Sequence, residues 1–287
     1  MISFPNAKIN LGLHITAKRK DGYHDIETCM FPIPLLDALE MIVNTKKTTF
    51  ESTGLAIPGD IKDNLILKAY QLLKKDFPNL PEIAIHLHKN IPMGAGLGGG
   101  SADAAFALNL MNNLFDLILD DFFLEEYAAQ LGSDCAFFIE NKPKIATGRG
   151  EILESIEVDL RGTHLVLINP GIHIGTKEAY AGVIPSAPKV KLKEVLADKS
   201  RWQSELVNDF EASILPNHPE IAAIKNTLYE NGAFYAAMSG SGSSVFGLFE
   251  EKPTSIEWKD PYSMLRQDCD LLEISDLYSR SIFPRSV

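Results

Sequence analysis

Apolar and polar residues alternate from Ala7 to Ile15, with Ile9, Leu11 and Leu13 on one side and Lys8, Asn10 and Gly12 on the other. That period of two predicts a half-buried strand with Lys8 and Asn10 projecting together. Further strands are expected at Leu39 to Asn44, Ile83 to His88 and Thr163 to Asn169, the last running into a Pro170-Gly171 turn. Between them the period changes to that of a helix. Asp63-Asn64 is a cap signal ahead of Leu65, Ala69, Leu72 and Leu73, and Ala104, Ala107, Leu108, Met111 and Phe115 form a second buried stripe. A third helix covers Phe122 to Leu131 and stops at Gly132, leaving Asp116, Asp120 and Asp121 in the loop before it. Asn208-Asp209-Phe210-Glu211 opens a further helical region, and Pro219 to Asn231 reads as a helix ended by Gly232. After Phe249 no pattern stands out.

The least regular stretch is the most informative. Between Ile91 and Ala105 the chain reads IPMGAGLGGGSADAA, with glycine at 94, 96, 98, 99 and 100. Glycine loses more conformational freedom on folding than any other residue, so such a run implies that the backbone itself is needed at close quarters. Ser101 and Asp103 supply helix-start chemistry, so the loop should feed a helix N-terminus, where unpaired amides and the helix dipole favour an anion. A flexible linker would not open a helix. The Walker pattern fails because Ser101-Ala102, not Lys-Ser or Lys-Thr, follows Gly100. Gly94, Gly96 and Gly99 fit G-x-G-x-x-G, but Asn90, Ile91 and Pro92 separate them from the preceding strand, unlike a Rossmann turn. A kinase with its own glycine loop remains.

Composition narrows the partners. The 287 residues suit one large domain or two medium ones, and 45% hydrophobic with 23% charged residues is ordinary globular composition. A net charge of -11 disfavours nucleic acid and anionic membranes as partners, so a polyphosphate must be held by local positive groups. No leader-like segment or bilayer-length apolar run is seen, and Cys29, Cys135 and Cys269 lie far apart, which together lead us to expect a cytoplasmic protein. His86 and His88 share one strand face without a third ligand, and no metal is assigned to them.

Three further groups are candidates for chemistry. Asp21-Gly22 is a hairpin signal followed by Tyr23-His24, a pair that packs in a core or stacks on and reads a flat heterocycle at a turn. Asp134 follows a helix end and precedes an apolar run, where it caps a turn or acts as an acid or base. Ser239-Gly240-Ser241-Gly242 is a second small-residue turn between apolar runs.

Taken in order, Lys8-Ile9-Asn10-Leu11, Asp21-Gly22-Tyr23-His24, Pro92 to Ala102, Leu131-Gly132-Ser133-Asp134 and Ser239 to Gly242 resemble the GHMP kinases from about Asn6 to Phe249. The resemblance implies an α+β, two-domain architecture, residues 1–155 and 156–287, with the active site in the interdomain cleft. It implies ATP and Mg²⁺, and Asp134 as the catalytic base beside Lys8. It implies nucleotide contacts at Asn64 and Lys89, at Pro92, Met93, Gly94, Ala95, Gly96, Leu97, Gly98, Gly99, Gly100, Ser101 and Ala102, and at Ser239, Gly240, Ser241 and Gly242, with Ser101 as the metal ligand. The Lys8/Asn10 strand and the Tyr23-His24 turn resemble the branch whose acceptor alcohol carries a cytidine diphosphate. There Asn10 would hold the alcohol, His24 would read the cytosine edge, Tyr23 and Tyr180 would sandwich the ring, and Thr176 would flank it. Cys135-Ala136 replace the Val-Pro common after the family's Asp, which puts the backbone path there in question. Other substrates of the same superfamily, a non-catalytic nucleotide-binding regulator and a nucleic-acid module remain open alternatives.

Overall fold

The computed structural model describes residues 1–44, 46–253 and 269–273. Three four-stranded sheets organise them. The first has the order β1 (Ile2–Ser3), β4 (Ala38–Asn44), β6 (Glu82–Lys89) and β5 (Thr49–Gly54), antiparallel except for the β5–β6 pair. Onto it pack α1 (Leu65–Asp76), α2 (Gly99–Leu114), α3 (Asp121–Leu131) and the short α4 (Phe137–Glu140), with Leu39, Met41, Ile83, Ile85 and Leu87 facing Ile66, Leu73, Phe106 and Met111. Asn64 caps α1 through its side chain, which accepts from the Ile66 amide at 2.9 Å. Asp120, expected in a loop with Asp121, instead caps α3.

The second sheet is antiparallel, in the order β2 (Asn6–Lys18), β3 (His24–Leu36), β7 (Lys144–Gly148) and β8 (Ile152–Ser155). The third runs β10 (Tyr235–Met238), β11 (Val245–Phe249), β9 (His164–Ile168) and β12 (Cys269–Glu273), also antiparallel, so the segment beyond Phe249 supplies an edge strand beside β9. Between β9 and β10 lie α5 (Thr176–Ala181), α6 (Leu192–Leu196), α7 (Trp202–Glu205), α8 (Asp209–Ile214) and α9 (Pro219–Glu230).

The half-buried prediction for β2 is corrected. Every residue from Asn6 to His14 is buried, because Ile9 and Leu11 face Leu165, Leu167, Tyr235 and Phe246 while Lys8 and Asn10 face the glycine loop. Polar residues at alternate positions here mark a face enclosed by other elements, not a solvated one. Gly12 takes φ +70, and a Cβ there would meet Leu206 Cδ1 at 2.7 Å, so β2 bends where it passes the second half of the chain.

Candidate active site

The glycine loop joins β6 to α2. Gly94, Gly96 and Gly98 all take positive φ, and a Cβ on Gly96 would fall 1.9 Å from the Ser239 carbonyl oxygen. The second small-residue turn is thus in contact with the first: Ser239 Oγ donates to Gly96 O at 2.8 Å and the Ser244 amide to Ala95 O at 3.2 Å. Ser101 and Asp103 do not cap the helix as expected. Gly98 is the N-cap, without a side-chain bond, and the first intrahelical bond is from the Ala102 amide to Gly98 O. The amides of Gly99, Gly100 and Ser101 come before that bond, at the positive end of the α2 dipole, a geometry suited to an anion.

Lys89 is the main correction. Implied as a nucleotide contact, Lys89 instead has its ammonium buried, paired with Asp37 Oδ2 and, at 2.7 Å, with Asp103 Oδ2. Asp37 Oδ1 accepts the amides of Asn90 and Ile91 at 2.6 and 2.8 Å. The triad ties the β3–β4 corner, the loop entry and the N-terminal part of α2 together, so Lys89 holds the loop from beneath. Burial pushes the Asp103 carboxyl up to about 7, against the opposing charge of Lys89. On the outer side, Asn64, Leu65, Phe50, Ile57, Met93 and Gly100 line a cavity of about 250 Å³. A larger, open hollow of about 610 Å³ lies around Phe77, Leu80 and Leu114 and includes none of the candidate site residues.

Lys8 and Asp134 meet as expected, Nζ to Oδ2 at 3.6 Å. The Lys8 amide donates to Leu97 O at 2.9 Å, pinning β2 to the glycine loop. Its ammonium donates to Asn10 Oδ1 at 2.5 Å, the Asn10 amide donates to Thr28 Oγ1 at 2.9 Å, and that hydroxyl donates to Gly12 O at 2.5 Å. The relay fixes the rotamers of Lys8 and Asn10. Burial lowers the Lys8 ammonium below its ordinary value, and the Asp134 charge opposes that shift. Asp134 keeps 31% of its side chain exposed, so the carboxylate reaches the solvent side of the pair. Ala136 takes φ -60, an angle that proline also adopts. Cys135 is a buried thiol pushed up to about 12 by burial and in contact with the Ser101 hydroxyl.

On the other side of Asp134, the His24 ring stacks on Tyr180 at 4.5 Å and 16°, and Tyr180 meets Phe210 edge-on at 4.8 Å. Burial, and secondarily the charge of Asp134, raises the Tyr180 phenol. Tyr23, expected to enclose a cytosine together with Tyr180, is 58% exposed, with the Arg149 guanidinium at 5.3 Å from its ring. Thr176 opens α5 one turn before Tyr180. His86 and His88 share a face as read, and both hydrogen-bond Thr53 Oγ1, at 3.2 and 3.0 Å.

Sequence reasoning missed Asp37, which follows an apolar strand with no local signal. It also missed the Gly148-Arg149-Gly150 turn, where a Cβ on Gly150 would sit 3.6 Å from Asp134 Oδ1. The two flanking glycines, both at positive φ, were the available cue.

Two family models match the chain, the GHMP kinases N terminal domain over residues 64–142 and the GHMP kinases C terminal domain over residues 192–257. A 4-diphosphocytidyl-2-C-methyl-D-erythritol kinase of Bacteroides fragilis is 54% identical over 265 residues, 90% of this chain and 96% of that one. One of Parabacteroides distasonis is 51% identical, covering 95% and 98%. Among solved structures, a 4-(cytidine 5'-diphospho)-2C-methyl-D-erythritol kinase superposes with TM-score 0.75 at 30% identity, covering 86% of this chain and 90% of that one. A homoserine kinase from Cytophaga hutchinsonii shares the fold at 17% identity, TM-score 0.67, over 88% and 85% of the two chains.

Proposed function

Because this chain belongs to the GHMP kinase family, we propose that it is an ATP-dependent kinase acting on 4-diphosphocytidyl-2-C-methyl-D-erythritol. It phosphorylates the 2-hydroxyl of that alcohol, a step of the non-mevalonate route to isoprenoid precursors. The observation that carries the chemical reading is the Lys8–Asp134 pair, set between a helix N-terminus suited to phosphates and an aromatic stack suited to a base. Phosphoryl transfer asks of a protein mainly positioning and charge stabilisation. Asp134 accepts the proton of the attacking hydroxyl. Lys8, held by Asn10 and Thr28, pairs with that carboxylate and faces the developing alkoxide. Asn10 orients the acceptor alcohol.

In this reading residues 1–155 carry the donor site and both catalytic side chains, and residues 156–287 contribute the closing turn and one wall of the acceptor site. The backbone from Pro92 to Ala102, with Ser239 to Gly242, cradles the phosphates of ATP. The cavity beside Asn64 takes the nucleobase. The Ser101 hydroxyl is a hard oxygen donor at the start of α2, and among the described residues no group of three His, Cys, Asp or Glu side chains forms a metal cage. This fits magnesium arriving with the nucleotide, with Ser101 as a ligand. When bound, that ion neutralises charge on the phosphates. The cytosine is read by His24 with Tyr23, Tyr180 and Thr176 around it. Since His24 occupies the Tyr180 face, the base enters by displacing that stack.

The test is to supply purified protein with ATP, Mg²⁺ and the diphosphocytidyl alcohol and to follow ADP release. Turnover is expected with this acceptor. Turnover with homoserine or mevalonate in its place would overturn the substrate assignment while leaving the family intact.

A further inference from the structure

Four consecutive residues, Asn208-Asp209-Phe210-Glu211 at the start of α8, reach three parts of the site without belonging to any of them. Asn208 is buried, and its amide nitrogen donates to Met238 O at 2.9 Å and to Gly240 O at 2.8 Å, while its oxygen accepts the Phe210 amide at 3.0 Å. Its hydrogen bonds therefore go to the turn that closes on the glycine loop. Glu211 works on the same strand end: Oε1 accepts the Met238 amide at 2.8 Å and Oε2 pairs with Lys225 of α9 at 2.5 Å. Asp209 Oδ2 accepts the Ile15 amide at 2.8 Å, with His14 Nδ1 at 3.5 Å from Oδ1, and the Leu13 amide donates to Val207 O at 2.8 Å. These contacts hold β2, the strand that carries Lys8 and Asn10. Phe210, also buried, sets its ring against Tyr180, which carries His24.

We propose that this segment is the positioning element that brings donor turn, catalytic strand and acceptor platform into one geometry, with Asn208 and Glu211 serving the donor side and Phe210 the acceptor side. The physical basis is that a helix start fixes successive side chains in different directions, so four residues on one rigid backbone point at separate partners. Loops alone would place those partners independently, and a site about 1 Å too loose loses most of the benefit of proximity. The assignment of sides rests on the kinase reading, which states what each part binds.

The test is a crossed pattern. Asn208→Ala removes two donors and leaves two buried carbonyls unpaired, so the KM for ATP and its calorimetric affinity should weaken about 5- to 100-fold. The KM for the diphosphocytidyl acceptor should stay within about twofold in that variant. Phe210→Leu keeps an apolar side chain but loses the ring edge, and should weaken acceptor KM and CDP affinity about 2- to 10-fold with ATP binding unchanged. Thermal melts establish that each variant is folded. Should Asn208→Ala fail to fold, Glu211→Gln tests the donor side, with the same expected direction. Equal changes for both ligands in each variant, or no change in either, would overturn the inference. Crossed ATP and CDP affinities in a protein that does not turn over the acceptor would instead overturn the substrate reading and leave the positioning role standing.

Discussion

In the proposed mechanism Asp134 is useful because it is only partly buried. A fully enclosed carboxylate beside Lys8 would spend its charge on the ion pair, whereas 31% exposure leaves an oxygen for an incoming hydroxyl. Asp134→Asn should therefore lower kcat by about 10²- to 10⁴-fold and leave the ATP dissociation constant within a few-fold, read by steady-state rates and calorimetry. Lys8→Met should cost kcat roughly 10²- to 10³-fold by removing a donor aimed at developing charge. Gly96 is a position where only glycine fits, since φ is +80 and a Cβ would overlap the Ser239 carbonyl. Gly96→Ala should lower stability by about 1–2 kcal/mol for the left-handed backbone alone, with more from the overlap, and should abolish ATP binding by parting the two turns. Equilibrium denaturation and nucleotide titration check both. Lys8, Asn10 and Asp134 were legible as a set only through the resemblance of their motifs to the GHMP kinases, because the strand alternation by itself reads as half-buried and Asp134 by itself as a turn residue. The Tyr23 orientation was not, because its partner Arg149 is far away in sequence.

At the scale of elements, α2 is the part that converts sequence into function, and it is held by a buried charge triad instead of a capping side chain. The folded chain keeps a proton on Asp103 up to about pH 7, whereas the unfolded chain releases it near the ordinary carboxylate value of 3.8. Where the folded state binds more protons, stability falls as pH rises, so the Asp103 contribution is present at low pH and is lost between about pH 4 and 7. Wild type and Asp103→Asn melts should diverge across that window, the variant having the flatter profile. A parallel course would remove the assignment. The triad could not be read from the chain because Asp37, Lys89 and Asp103 belong to three elements with no shared periodicity. The Asn64 cap could be read, since its partner lies two residues away, and Asn64→Ala should cost about 1 kcal/mol in a denaturant titration.

At the scale of the whole molecule, the proposed site is a convergence of β2, the glycine loop near residue 95, the turn at Asp134 and the turn near residue 240, with the start of α8 touching β2 and the turn near residue 240. Ligand binding to such a convergence stabilises the folded state by mass action: at 100 times its dissociation constant ATP with Mg²⁺ should add about 2.7 kcal/mol, which corresponds to a rise in Tm of roughly 5 to 10 °C. Asp134→Asn should show the same rise in a thermal shift experiment, since it removes chemistry and not binding. What the sequence determined by itself was local or marked by unusual composition. The helix faces, the Asn64 cap, the glycine loop ahead of α2 and the order of motifs follow from spacing over a few residues, where near neighbours dictate conformation. What the tertiary structure decided was which polar side chains are enclosed and by what. Burial of both faces of β2, the pairing of Lys89 with Asp37 and Asp103, the stacking of His24 on Tyr180 and the clasp from Asn208 each depend on contacts across tens to hundreds of residues. The reason is physical: the cost of burying a polar group is set by the partners that surround it, and no window along the chain contains them.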